Sequence, residues 1–163
     1  MNKKILILSL SLLMVISVVP VMAISKHKLP ATATPTSSIP DPSTIELTYT
    51  KGGIEKLAVT MSGSITLNSN PGTYVDICVG TYNPRSDKGV YTFEEVWTFD
   101  GGTFVGTAHV KTEGTLWMGA YTRMTTHIVL HGTGVYEGQI LNLRSDQTVP
   151  GGFPVYTGYW LKS

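Results

Sequence analysis

Val90-Tyr91-Thr92-Phe93-Glu94-Glu95-Val96-Trp97-Thr98-Phe99 runs directly into Asp100-Gly101-Gly102, and Thr103-Phe104-Val105-Gly106-Thr107-Ala108-His109-Val110-Lys111-Thr112 follows. Both runs are rich in β-branched and aromatic residues with a period of two, and Asp-Gly between them is a hairpin signal. Two antiparallel strands joined by a tight turn are the expectation for this stretch.

The same pattern extends in both directions. Upstream, Ile45–Thr50 ends at Lys51-Gly52-Gly53. Glu55–Met61 and Ser64–Leu67 flank Ser62-Gly63, which reads as a tight hairpin or a bulge. Tyr74–Tyr82 lies between Asn70-Pro71-Gly72 and Asn83-Pro84. Downstream, Leu116–Thr122 and Thr125–Leu130 read as one long strand or two, and Val135–Leu143 and Val155–Leu161 complete the set. About eight strands, spaced ~8–12 residues apart without a helical period anywhere, predict an all-β antiparallel barrel or sandwich over residues 45–163. Gly106, Gly119, Gly138 and Gly158 fall inside strand patterns, where glycine marks bends, bulges or close backbone approach. Closing a small barrel requires such positions, so a single barrel is the expected architecture.

Ahead of this domain stand two segments of different character. Lys3 and Lys4 precede an apolar run from Ile5 to Ala23, with Val21 and Ala23 placed as a signal peptidase reads them before cleaving ahead of Ile24. Residues 1–23 therefore read as a signal peptide. The alternative is a retained anchor, because the apolar stretch 5–24 matches the ~20 residues that span a bilayer. Either reading places the protein outside the cytoplasm, secreted or held at a membrane through this segment. Residues 24–44 carry Pro30, Pro35, Pro40 and Pro42 among Ala, Ser and Thr, and read as an extended linker.

Composition narrows the functional classes. The chain of 163 residues is 42% hydrophobic and 14% charged, too apolar for a disordered protein. Its net charge of +1 offers no basic field for nucleic acid. The single cysteine, Cys78, excludes an intrachain disulfide and reads as a small buried hydrophobe. No nucleophile elbow, phosphate loop, dinucleotide fingerprint or His-Glu-x-x-His motif occurs, so no cofactor is implied. His127 and His131 share a strand face but lie ~13 Å apart, too far for one metal ion.

A resemblance rests on three stretches: Gly101-Gly102-Thr103-Phe104-Val105-Gly106-Thr107, Leu130-His131-Gly132-Thr133-Gly134-Val135-Tyr136-Glu137-Gly138-Gln139, and Tyr156-Thr157-Gly158-Tyr159-Trp160-Leu161. They resemble the glycine-punctuated strands of the allene oxide cyclase and dirigent-like (calycin-like) barrels, and of small exported microbial proteins of unknown role. The likeness covers about the last sixty residues and is a signature of fold. It implies a closed barrel in a superfamily that includes isomerases of oxidised lipids, guides for phenoxy radical coupling, and barrels without known activity. No catalytic position of those families maps onto a residue here.

Candidate site residues come from strand faces. Alternation groups Tyr91, Phe93, Glu95, Trp97 and Phe99. If that face is interior, Glu95 is a costly buried carboxylate with a raised pKa, paired or put to use. If it is exterior, or if a bulge shifts the register at Glu94-Glu95, the glutamate is ordinary. Asp76 shares a face with Tyr74 and Tyr82. The opposite Val75-Ile77-Val79 face is the expected core, which directs Asp76 to solvent by default, or to the lumen of a barrel wide enough for a ligand. A continuous Leu116–Leu130 strand would align Trp117, Tyr121, Arg123 and His127, a mixture of aromatic bodies and polar tips that suits a sugar, phenolic or amphipathic ligand, or equally a solvent face. Arg123 near Glu95 or Asp76 would complete a site.

The leading expectation is thus an exported barrel that binds a small apolar or aromatic ligand, or a partner surface, through Tyr91, Trp97, Trp117 and Tyr121, with Glu95, Asp76 and Arg123 orienting the ligand. An isomerase that moves a proton with Glu95 or Asp76 on an oxidised lipid or phenolic, and a structural cell-surface module, are the alternatives.

Overall fold

The structure, a computed structural model, describes residues 27–148 and 152–162, so the predicted export segment lies outside the described residues. Among the described residues ten strands make up the architecture: β1 (His27–Pro35), β2 (Ile39–Pro40), β3 (Glu46–Tyr49), β4 (Glu55–Leu67), β5 (Asn70–Asn83), β6 (Lys88–Phe99), β7 (Gly102–Gly114), β8 (Tyr121–Gly132), β9 (Ile140–Gln147) and β10 (Tyr156–Lys162). Strands β4 to β10 pair antiparallel, each with the next in sequence, and β1 joins β10 back to β4. The result is a closed ring of eight antiparallel strands. Among the described residues no helix is long and apolar enough to cross a membrane.

The hairpin quoted first forms as expected. β6 and β7 pair along their full length, and Phe99 faces Gly102 across the two-residue turn Asp100-Gly101, where Gly101 takes a positive φ of 81°. Other boundaries move. β4 runs unbroken through Ser62-Gly63, and the chain reverses at Asn68-Ser69, whose φ values of 48° and 68° are both left-handed. Asparagine tolerates that region, which allows a two-residue turn between Leu67 and Asn70. Asn70-Pro71-Gly72 therefore opens β5 instead of preceding it.

Glycines act in two ways. A Cβ at Gly106 would stand 2.1 Å from the Val129 carbonyl oxygen, and one at Gly158 would stand 2.1 Å from that of Asn142. Those two strand glycines permit close strand approach, as the sequence suggests. Gly119 and Gly138 instead occupy turns outside the strands, with φ of 69° and 75°.

The segment read as a linker contributes a wall of the ring. In β1, Ala31, Ala33 and Pro35 point inward and are buried, while Thr32 lies outside. Small side chains at every second position suit a crowded interior, and the intervening threonines favour strand. The Pro/Thr composition concealed this alternation. β1 meets β4 over only three residue pairs, Ala33–Leu67, Thr34–Thr66 and Pro35–Ile65. Asn68 lengthens the seam: its backbone N–H donates to the Thr32 carbonyl, its Oδ1 accepts from the Thr32 N–H at 2.8 Å, and its Nδ2 donates to the Pro30 carbonyl at 3.2 Å. Below that seam β2 and β3 pair with the rest of the same edge of β4.

Asn68→Ala removes two side-chain hydrogen bonds and places a Cβ-branched-free but non-glycine residue at a left-handed position. It is expected to lower unfolding free energy by about 1–3 kcal/mol in urea denaturation. A change below about 0.3 kcal/mol would show that the seam does not depend on this residue.

Candidate functional site

β5 and β6 place their acids by register. Alternation along β6 sends Tyr91, Phe93, Glu95, Trp97 and Phe99 inward, and along β5 it sends Tyr74, Asp76 and Cys78 inward. Asp76 is the direct cross-strand partner of Glu95, so the two carboxyls meet inside the ring with 7% and 6% of their surfaces exposed. They lie within hydrogen-bonding reach of one another. The Trp97 indole N–H, two residues along the same face, donates to Glu95 Oε2 at 2.5 Å. Asp76 Oδ1 is buried without a partner.

Two carboxyls this close in apolar surroundings cannot both carry charge at modest cost. Burial pushes the Asp76 carboxyl up to about 9, and the Glu95 charge and hydrogen bond act in the same direction. Burial also raises Glu95, opposed by hydrogen bonds from Trp97 and Asp76. The two carboxyls thus share a proton at neutral pH. The surrounding acids respond to the same field. Tyr156 is raised well above its usual value by burial and by both carboxyls, and the Cys78 thiol is pushed up to about 12 by burial and by Asp76.

The pair faces a cavity of about 490 Å³. Tyr74, Cys78, Phe93 and Trp97 from β5 and β6 line it, with Val110 from β7, Met124 and Thr126 from β8 and Tyr156 from β10. Trp97 and Tyr156 lean together, with ring centroids 6.3 Å apart. Thr126 Oγ1 is a second buried polar atom without a partner. Leu116, Trp117 and Gly119 line part of the cavity too. Their turn is fastened to the ring by two bonds: the Leu116 N–H donates to the Tyr91 hydroxyl, and Thr115 Oγ1 donates to the buried Glu55 carboxylate. Another part of the interior is packed solid. Phe104 stacks on Tyr136 and meets Phe99 and Trp160 edge-on, and none of these four rings lines the cavity.

Of the residues singled out from sequence, Asp76, Glu95, Trp97, Trp117 and Tyr121 line the cavity. Tyr91 is buried but supports the Leu116 turn instead of lining the space. Arg123 is not at the site. It lies on the outer surface in a bidentate pair with Asp146, at 3.0 and 2.7 Å. The cause is local: Gly114 pairs with Tyr121 while Glu113 pairs with Arg123, so Thr122 is an extra residue that turns Tyr121 inward and Arg123 outward. Of the two readings, one long Leu116–Leu130 strand or two, the continuous one is absent, since Trp117–Gly119 form a short 3-10 turn and β8 begins at Tyr121.

The expected core face of β5 is also reversed. Val75, Ile77 and Val79 are 46%, 47% and 56% exposed, and Asp76 is inside. Aliphatic β-branched residues favour strands on either face, so their alternation alone does not identify the interior. Bulky rings fill an eight-stranded ring better, and they mark the inner face here. His109 and His127 are cross-strand partners directed away from the cavity, and His127 Nε2 pairs with Asn142 Oδ1 at 3.2 Å. Among the described residues no three His, Cys, Asp or Glu side chains group as a metal site. Tyr74 and Tyr156 are lining residues that the sequence reading did not select. Tyr74 was legible as the alternation partner of Asp76, while nothing in the sequence links Tyr156 to β6.

Fold and site together define a small all-β protein whose closed ring encloses an apolar cavity with a buried acid pair in its wall. Compared with known proteins, the chain matches no family model and no curated sequence.

The acid pair has a consequence for stability. The folded pair retains a proton that the unfolded chain releases above the ordinary Asp value of 3.8, so this contribution is greatest in acid and declines as pH rises towards about 9. Denaturation between about pH 5 and about pH 8 is expected to show stability falling by up to about 1.4 kcal/mol per unit, and Asp76→Asn to flatten that slope. Equal slopes in the two proteins would contradict a shared proton at Asp76.

Proposed function

We propose that the protein is an exported carrier or receptor for a small apolar or aromatic molecule, which it holds in the interior of the strand ring with the polar end of the molecule against Asp76 and Glu95. The observation that supports this most is the combination of an aromatic cavity of about 490 Å³ with a buried carboxyl oxygen that lacks a partner. Sites for small molecules have this composition, mostly apolar lining with a few convergent polar groups. A core built only for stability gains nothing from an unpartnered Asp76 oxygen, which costs free energy in the empty protein. The export reading rests on Lys3, Lys4 and the apolar run to Ala23. Kinship with the allene oxide cyclase and dirigent-like barrels remains part of the proposal at the level of fold.

An isomerase reading draws on the same pair, because Asp76 can give a proton while Glu95 receives one. Its expected cation is missing from the described site, since Arg123 is outside and no Lys, Arg or His among the described residues lines the cavity. An anionic intermediate would therefore form beside two acids without a counter-charge, and binding is the better supported reading.

Filling the cavity tests this. Val59→Phe and Met124→Trp, at two separate lining positions, are each expected to weaken binding of the neutral apolar dye Nile red at least about tenfold, measured by fluorescence titration on protein whose thermal melting remains cooperative. Dye affinity unchanged in a folded variant would contradict an internal binding site.

A further inference from the structure

The wall of the cavity is chemically one-sided. Its ionisable groups are Asp76, Glu95, Cys78, Tyr74, Tyr121 and Tyr156, all acids, and no basic side chain is among the lining residues. These groups come from β5, β6, β8 and β10, and among the described residues no element around the pair brings a compensating cation to it. Asp76 Oδ1 is an acceptor without a donor in a residue 7% exposed, and Glu95 has the Trp97 indole N–H and Asp76 as its partners. Opposite charges from a ligand would meet no competitor here. A ligand carboxylate or phenolate would meet only repulsion and desolvation.

The aromatic residues point the same way. Trp97 and Tyr156 stand beside the pair, and Tyr74, Phe93, Tyr121 and Trp117 supply further ring surface to the same space. Ring faces attract cations through their quadrupole, most strongly where water is excluded. An acid pair in a cavity lined by such rings is complementary to an organic ammonium group whose hydrocarbon body packs among them.

We propose that the ligand is a compact apolar or aromatic amine, bound as its ammonium ion, with the charged nitrogen against Asp76 and Glu95 and the hydrocarbon body among the rings. This rests on the internal binding site proposed above and names its ligand class. Binding has a proton balance. The ammonium nitrogen donates hydrogen bonds to Asp76 Oδ1 and to Glu95, and the proton that the carboxyls shared in the empty protein leaves to solvent. No covalent bond forms or breaks in the ligand.

The test uses the full folded protein and three probes with one skeleton, phenylbutylamine, phenylbutanol and phenylbutanoate, followed by isothermal titration calorimetry near neutral pH in buffers of different ionisation enthalpy. The amine is expected to bind at least about tenfold more tightly than the alcohol, with the carboxylate weakest. Heats for the amine alone should vary with the buffer in the direction of proton release. The size-matched double variant Asp76→Asn/Glu95→Gln should lose the amine preference and the buffer dependence while still binding the alcohol. Equal affinity for amine and alcohol, or preference for the carboxylate, overturns the amine assignment and leaves the cavity as a binding site. Failure of all three probes together with failure of Nile red overturns the binding site itself. Should the double variant not fold, the ranking of the three probes on the native protein still decides.

Discussion

Two carboxyls facing each other across adjacent strands, inside an apolar wall, are the constraint around which this molecule is arranged. Neither can be fully ionised there without a counter-charge, and the described residues that line the cavity supply none. The Asp76–Glu95 pair lowers the cost by keeping a proton and by accepting the Trp97 N–H, but one aspartate oxygen stays unpartnered. A protein that only needed a stable core would be served better by a pair of aliphatic residues of similar volume. The acids are thus costly to fold around, and they stand where a ligand can use them.

That arrangement depends on closure. Eight strands enclose a space just wide enough for side chains or for one small molecule. This ring divides it, with Phe99, Phe104, Tyr136 and Trp160 filling one part and the cavity occupying another. The last wall is β1, which inserts between β10 and β4 and contributes Ala31 and Ala33 to the interior. Removing water from around the pair requires that wall, because a gap at β1 would hydrate the interior and return both acids towards ordinary carboxylate behaviour. The seam between β1 and β4 is short, and Asn68 extends it by pairing its amide with the β1 backbone.

Much of the fold was legible in the sequence, for reasons local to the strands. The period of two over Val90–Phe99, the Asp100-Gly101 turn and the glycines at 106 and 158 specify an antiparallel ribbon that curves. Sidedness was not legible. In β5 both faces are apolar enough to be buried, and only pairing with the aromatic face of β6 shows that Tyr74, Asp76 and Cys78 are inside. Each acid could be nominated singly, whereas their contact is a matter of register between strands nineteen residues apart in sequence at the pair itself. Arg123 was misplaced by one extra residue at Thr122, which no local signal announces and which reverses the direction of every side chain beyond it. β1 was obscured because prolines and threonines resemble a linker, although its alanines alternate as a strand's should.

The most direct measurement is a carbon-13 NMR titration of the Asp76 and Glu95 side-chain carboxyls in the empty, folded protein. The pair is expected to keep a proton through neutral pH and to release it towards about pH 9, with both carboxyl signals shifting in the same step. Two independent transitions near the ordinary carboxylate range would mean that water reaches both groups and that the interior is not the closed, acid-bearing site described above.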